Sequence, residues 1–129
     1  MKHSAEYYIE HLEMEPHVEG GYFKECLLEK EERNLWSSIY FMLAKGEVSH
    51  FHRLKSDEVW YYHDGNALTI YMIDEEGKLT AAKLGLDLEK GEVPQVLVPK
   101  GMIFGSAMEE EGFSLVGCMV SPCFKYEEF

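Results

Sequence analysis

Cysteine is scarce in this 129-residue chain: Cys26, Cys118 and Cys123 make an odd set without regular spacing. Such a set does not read as a disulfide framework or a zinc knuckle, and it predicts reduced thiols in a cytoplasmic protein. Basic residues are also few. Twelve Lys and Arg stand against 24 Asp and Glu, a net charge of −12. A chain of that balance offers no broad basic face to nucleic-acid phosphates or to an anionic membrane, although a locally basic pocket is compatible with it. The acidic excess keeps a small protein soluble. No apolar run approaches the roughly 18–20 residues that cross a bilayer. Met1-Lys2-His3 leads into a mixed polar segment, not the apolar stretch of a signal peptide. Internal repeats, low-complexity tracts and linkers are lacking too, which predicts one domain over residues 1–129.

What is present is apolar and aromatic: 46% hydrophobic and 13% aromatic residues, enough for a real core. One helix is expected over about 4–13. Ser4 is a natural N-cap, and Ala5, Tyr8, Ile9 and Leu12 fall at i, i+3, i+4 and i+7. Pro16 is expected to stop it. Everything after reads as β. Strands are expected at Tyr22–Leu28, Leu35–Leu43, Val48–His52, Glu58–His63, Ala67–Ile73, Leu79–Leu84, Gln95–Val98 and Phe113–Val120. Glu19-Gly20-Gly21 reads as a turn or bulge that shapes the barrel entry. Asp64-Gly65-Asn66 reads as a tight hairpin, and Asp74-Glu75-Glu76-Gly77 and Pro99-Lys100-Gly101 as further turns. The fold class is mostly β, a jelly-roll barrel over about 19–126 or a sandwich. An immunoglobulin-like sandwich lacks its Cys…Trp…Cys framework here.

The stretch from Gly46 to Gly65 carries the chemistry. Strand side chains alternate faces, so His50 and His52 are expected on one side, and Glu58, Trp60 and Tyr62 likewise on the next strand. If both sets point inward, two imidazoles and a carboxylate meet in one cavity. That donor set suits a first-row divalent ion (zinc, iron, manganese or nickel) and leaves positions open for substrate.

This stretch resembles the first cupin motif: a glycine, a His-x-His pair, then a Glu and a Gly with six residues between them, here Glu58 and Gly65. Pro99-Lys100-Gly101 matches part of the second motif, with Phe104 where a metal-binding His would stand. The His-to-Glu spacing is one residue longer than the usual cupin range, so Asp57 competes with Glu58 as the acidic residue. Glu19-Gly20-Gly21-Tyr22-Phe23, Ser37-Ser38-Ile39-Tyr40-Phe41, Phe51-His52-Arg53, Ser56-Asp57-Glu58-Val59-Trp60, Leu84-Gly85 and Val98-Pro99-Lys100-Gly101 are similar to one cupin subfamily, DUF985. Val116-Gly117-Cys118 and Ser121-Pro122-Cys123-Phe124 continue that similarity. The resemblance implies a cupin barrel, a homodimer, and a fold shared with sugar-nucleotide epimerases and a sugar isomerase.

Three functions follow as expectations. The first is an isomerase- or epimerase-like enzyme on a sugar or sugar-nucleotide-like ligand. In it His52 is the base, Tyr40 or Tyr62 the acid, and Glu58 the residue that orients His52. The second is a non-catalytic metabolite-binding module. The third is a metal-dependent enzyme using His50, His52 and Glu58. Trp60 and Phe104 would stack on the ligand, Tyr40 and Gln95 would orient it, and Lys24 would meet an anionic group. Cys118 is expected as a small buried apolar residue, with a cavity-facing role as the alternative. Asp57 is expected to cap a turn. The dimer contact is expected at the apolar strand Leu35–Leu43.

Overall fold

A computed structural model describes residues 2–28 and 35–122. Cys123 and the last part of the expected barrel span lie outside these residues. Helix α1 (Ala5–His11) starts where expected: the Ser4 hydroxyl accepts from the Tyr7 N–H at 3.1 Å. It stops before Pro16. Leu12 caps it, Glu13 turns to a positive φ of 55°, and Pro16 lies in a two-residue strand, β1 (Glu15–Pro16).

Nine more strands follow: β2 (Tyr22–Leu28), β3 (Ser37–Ala44), β4 (Val48–Arg53), β5 (Asp57–Gly65), β6 (Leu68–Ile73), β7 (Leu79–Leu84), β8 (Gln95–Val98), β9 (Ile103–Ala107) and β10 (Phe113–Ser121). They form two antiparallel sheets, ordered β1-β2-β3-β10-β5-β8 and β4-β9-β6-β7. This is the mostly β, jelly-roll arrangement. Two strands, β1 and β9, were not legible as strands. Each is short, and β9 holds a glycine where an alternating apolar pattern would need a side chain.

Asp64-Gly65-Asn66 is not a hairpin. β5 and β6 belong to different sheets, so this corner carries the chain from one to the other. Gly65 still pairs with Ser114 of β10, and the Asn66 N–H donates to the Phe113 carbonyl at 2.7 Å. The Asp64 carboxylate accepts from the Tyr8 hydroxyl at 2.6 Å and the Lys2 N–H at 2.8 Å, so it anchors the N-terminal segment. Asp74–Gly77 does join a hairpin, β6 to β7, with the Asp74 carboxylate accepting from the Glu76 and Lys78 N–H groups.

The core lies between the sheets. Phe41, Leu43, Trp60, Val96, Val98, Val116, Cys118 and Val120 come from the larger sheet, and Leu68, Ile70, Leu84 and Phe104 from the smaller. A fully buried side chain of this kind contributes about 1.5–3 kcal/mol relative to exposure. A second cluster joins Ala5, Tyr8, Ile9 and Leu12 of the helical segment to Met14, Met42, Phe113 and Leu115, closing the outer face of the larger sheet. The stretch expected as a dimer contact is mostly interior: β3 lies between β2 and β10, and Met42 and Leu43 are buried. No helix among the described residues is long and apolar enough to cross a membrane.

Candidate functional site

The space between the sheets is not filled throughout. A cavity of about 190 Å³ is lined by His17, Phe23, Glu25, Ser37, Ile39, His52, Leu54, Glu58, Cys118 and Val120. An adjoining pocket of about 40 Å³ shares five of these residues and adds Glu19, Phe41, Ser49, Trp60 and Phe104. His17 and Glu19 reach it from the loop between β1 and β2, and Leu54 from the end of β4; the strand residues of the lining lie on the faces that alternation turns inward, with one exception that decides the chemistry.

That exception is β4. Its pairing with β9 slips between Ser49 and His52: Ser49 faces Ser106, and His52 faces Phe104. His50 and Phe51 therefore share the place opposite Gly105, a β-bulge. Gly105 permits it, because a Cβ there would stand 2.8 Å from the Ser49 carbonyl oxygen and 3.3 Å from the Phe51 nitrogen. The bulge breaks the two-residue alternation, so Ser49 and His52 face inward and His50 is exposed. The expected His50–His52 pair on one face is thus not formed.

His52 sits in the cavity wall with its side chain 15% exposed. Its Nδ1 lies 2.8 Å from the His50 carbonyl oxygen and 3.9 Å from a Glu19 carboxylate oxygen. The ring packs against Phe104, centroids 4.3 Å apart. Glu58 projects from β5 into the same space and accepts from the Trp60 indole N–H at 2.7 Å. Burial pushes the Glu58 carboxyl up to about 7, with the indole N–H pulling the other way. Trp60 is buried edge-on to Phe41 and Phe104. Burial, and then the charge of Glu58, hold the Cys118 thiol well above its ordinary value, so this cysteine is a cavity-wall residue and not a ready thiolate. Asp57 lies outside the site: its carboxylate accepts from the Lys100 N–H at 2.8 Å and caps that turn.

The structure brings together His52, Glu58, Trp60 and Phe104 and separates the other candidates. Tyr62 shares the inward face of β5 but packs into the core further along, its hydroxyl donating to the Gly65 carbonyl at 2.5 Å, and it does not line the cavity. Tyr40 points to the outer face of the larger sheet, within the helical cluster and edge-on to His63. Lys24 pairs with Tyr40 across β2 and β3, so it shares that outer face, while its neighbours Phe23 and Glu25 line the cavity. Gln95 is exposed, on the face of β8 opposite Val96 and Val98.

Sequence reasoning missed His17. It stands between β1 and β2, at the start of the loop that ends in Gly20-Gly21. Its N–H donates to the Gly21 carbonyl at 2.9 Å, and the Gly20 N–H donates back to the His17 carbonyl at 3.0 Å. A Cβ on Gly20 would sit 2.0 Å from the Val48 carbonyl oxygen, and one on Gly21 2.4 Å from that of Met42; both glycines have positive φ. Only glycine lets the loop close so tightly, and that closure places His17 and Glu19 in the cavity. The paired glycines were the available signal. Burial lowers the pKa of His17; nearby His52 lowers it further, and Glu19 opposes them.

The alternation read from the sequence places a metal on His50, His52 and Glu58. These residues do not fit one. His50 is turned out by the bulge, and Phe104 stands where a further imidazole would be needed. Among the described residues, no three His, Cys, Asp or Glu side chains are placed to hold an ion.

The comparisons with known proteins agree with this architecture. No curated protein matches the sequence. Protein SO0799 from Shewanella oneidensis is 59% identical, with a TM-score of 0.93 over 98% of this chain and 82% of its own. A hypothetical protein from Leishmania major is 37% identical, with a TM-score of 0.87 over 98% and 85%. Oxalate decarboxylase from Bacillus subtilis, which has Mn(II) centres, is 20% identical, with a TM-score of 0.66 over 88% of this chain and 29% of its own, a likeness of fold alone. The family model described as Cupin superfamily (DUF985) matches residues 6–129. By that match, and by its likeness to the first two structures, the chain belongs to the DUF985 family of cupins.

Proposed function

We propose that this cupin binds a small polar carbonyl compound in its cavity and moves a proton within it, the chemistry of an isomerase or epimerase. The observation that carries this reading is the meeting of His52 and Glu58 in one small cavity, with Glu58 held near a pKa of 7. A general acid and base work best when they titrate near the operating pH. His52 takes a proton from the carbon beside the carbonyl. Glu58 serves as the acid in place of Tyr40 and Tyr62, which do not reach the cavity.

The cavity also bounds the ligand. Its 190 Å³ equals about six liquid water volumes. That suits a free sugar or something smaller. Pockets for drug-sized ligands run to roughly 300–1,000 Å³, so most of a sugar nucleotide would stay outside. Glu19 and Glu25 are also among the lining residues, which favours a neutral or cationic ligand over an anion.

The test is solvent exchange. Dihydroxyacetone and a set of aldoses and ketoses are incubated with the protein in D₂O, and replacement of C–H by C–D is followed by proton NMR. Exchange with the wild type that is lost in His52→Ala and in Glu58→Gln supports the reading. Exchange that survives His52→Ala refutes the assigned base. Binding without exchange identifies a non-catalytic binding module instead. A homodimer belongs to the same reading. Of the stretch 35–43, Leu35 and Trp36 keep substantial exposure, at 46% and 39%. Light scattering that returns a monomer removes this part.

A further inference from the structure

We infer that His17 is a catalytic residue, donating a hydrogen bond from Nε2 to the ligand's carbonyl oxygen while His52 works on the neighbouring carbon. The inference rests on the proton-transfer reading above and adds a third participant to it.

The hydrogen bonds fix which nitrogen of each ring carries the proton. The Glu19 backbone N–H lies 2.9 Å from Nδ1 of His17. A backbone N–H can only donate, so Nδ1 holds a lone pair and the proton of the neutral ring sits on Nε2. In His52 the partner is reversed. Its Nδ1 lies 2.8 Å from the His50 carbonyl oxygen, which can only accept, so Nδ1 carries the proton and Nε2 of the neutral ring is basic. Two imidazoles of opposite tautomer thus line one cavity, a donor and an acceptor.

His17 is also held in place. The glycine-locked loop fixes its backbone, and its ring meets Phe23 and Phe41 edge-on, with centroids 4.9 and 5.7 Å away. Protonating Nδ1 would break the bond from Glu19, and burial opposes a charge, so the ring stays a neutral N–H donor. A neutral imidazole is a suitable electrophile for a developing enolate, because its own acidity lies closer to that of the enol than an imidazolium's does.

The step balances without any co-reactant. The C–H bond breaks, its proton goes to His52 Nε2, and its electron pair becomes the carbon–carbon double bond. The carbonyl oxygen gains negative charge against the His17 N–H and takes the proton of Glu58. In the second half a neighbouring hydroxyl returns a proton to Glu58 as its oxygen becomes the new carbonyl, and His52 delivers its proton to carbon.

Nitrogen-15 long-range NMR on the intact protein between pH 5.5 and 8 reads the tautomers directly, with His17→Gln and His52→Gln assigning the signals. The expected result is Nε2–H for His17, uncharged at pH 7, and Nδ1–H for His52. A His17 that carries its proton on Nδ1, or is an imidazolium at pH 7, overturns the inference whatever the activity. In the D₂O assay, His17→Phe is expected to slow the exchange rate constant by about 100-fold, as losing an oxyanion donor does, with KM little changed. His17→Gln, which keeps an N–H donor, should recover part of that loss. The Trp60 indole signal checks that each variant keeps the cavity. Equal rates for His17→Phe and wild type would overturn the catalytic role and leave the His52–Glu58 reading standing. No exchange by the wild type on any probe would overturn both, even with the tautomers as expected.

Discussion

Glu58→Gln isolates the energetic consequence of burying a carboxyl beside the cavity. The ordinary carboxyl value is 4.5, and burial raises Glu58 to about 7. At 1.36 kcal/mol per pKa unit, the difference amounts to about 3 kcal/mol. The folded protein holds the proton more tightly than the unfolded chain does. Its stability is therefore fully present below about pH 4.5 and declines as pH rises, until Glu58 is ionised in both states above about 7. Glutamine keeps the shape, still accepts from the Trp60 indole, and cannot ionise. Urea unfolding of both proteins at pH 5, 6, 7 and 8 should show the variant gaining about 2–3 kcal/mol on the wild type across that range. Water entering the cavity would trim this figure. A stability difference that is flat with pH would refute the argument, because it would mean that Glu58 ionises in the fold as easily as in the unfolded chain.

Further outcomes follow from the same structure. Trp60→Phe removes the indole N–H that favours ionised Glu58, so the Glu58 titration should move above about 7 in carboxyl carbon-13 NMR; a downward move would contradict the assignment. Tyr8→Phe removes a hydroxyl bond to Asp64. Burial alone would raise that carboxyl, but Tyr8 and the backbone N–H groups of Lys2, Gly65 and His3 outweigh it and hold it well below the usual range. The loss should be about 1–2 kcal/mol near neutral pH, toward the low end for a bond to a charged group close to the surface, and should fade as Asp64 is protonated in acid. Thermal unfolding against pH measures it. Gly105→Ala puts a methyl against the bulge of β4 and should cost about 1–3 kcal/mol, and it should move the His52 ring signals in NMR. Unchanged His52 signals would mean that the bulge does not set that ring.

Much of the fold was legible because local chemistry and tertiary structure agree. The spacing of Ala5, Tyr8, Ile9 and Leu12 forms the apolar face of α1, and Ser4 caps it. Tyr22–Leu28, Leu79–Leu84 and Gln95–Val98 are strands with the expected bounds. On β5, alternation correctly puts Glu58 and Trp60 inward and Asp57 outward, since nothing interrupts the pairing there. The remaining site residues were less legible for separate reasons. Tyr40, Gln95 and Lys24 carry suitable chemistry on strands whose inward positions belong to their neighbours. Alternation along one strand gives two faces without saying which is the inside. Tyr62 has the right face but lies too far along the strand.

By itself, then, the sequence determined a mostly β protein with an N-terminal helix, and it drew attention to His52, Glu58, Trp60 and Phe104. Those conclusions rest on caps, turns and periodicities that act over a few residues and, for Phe104, on the resemblance to the second cupin motif. Only the tertiary structure decided that His50 leaves the cavity and His17 enters it. The first depends on a bulge that Gly105, on the neighbouring strand, makes room for. The second depends on a glycine loop closing against the carbonyls of Val48 and Met42. Both are contacts between segments far apart in the chain, and local periodicity carries no record of them.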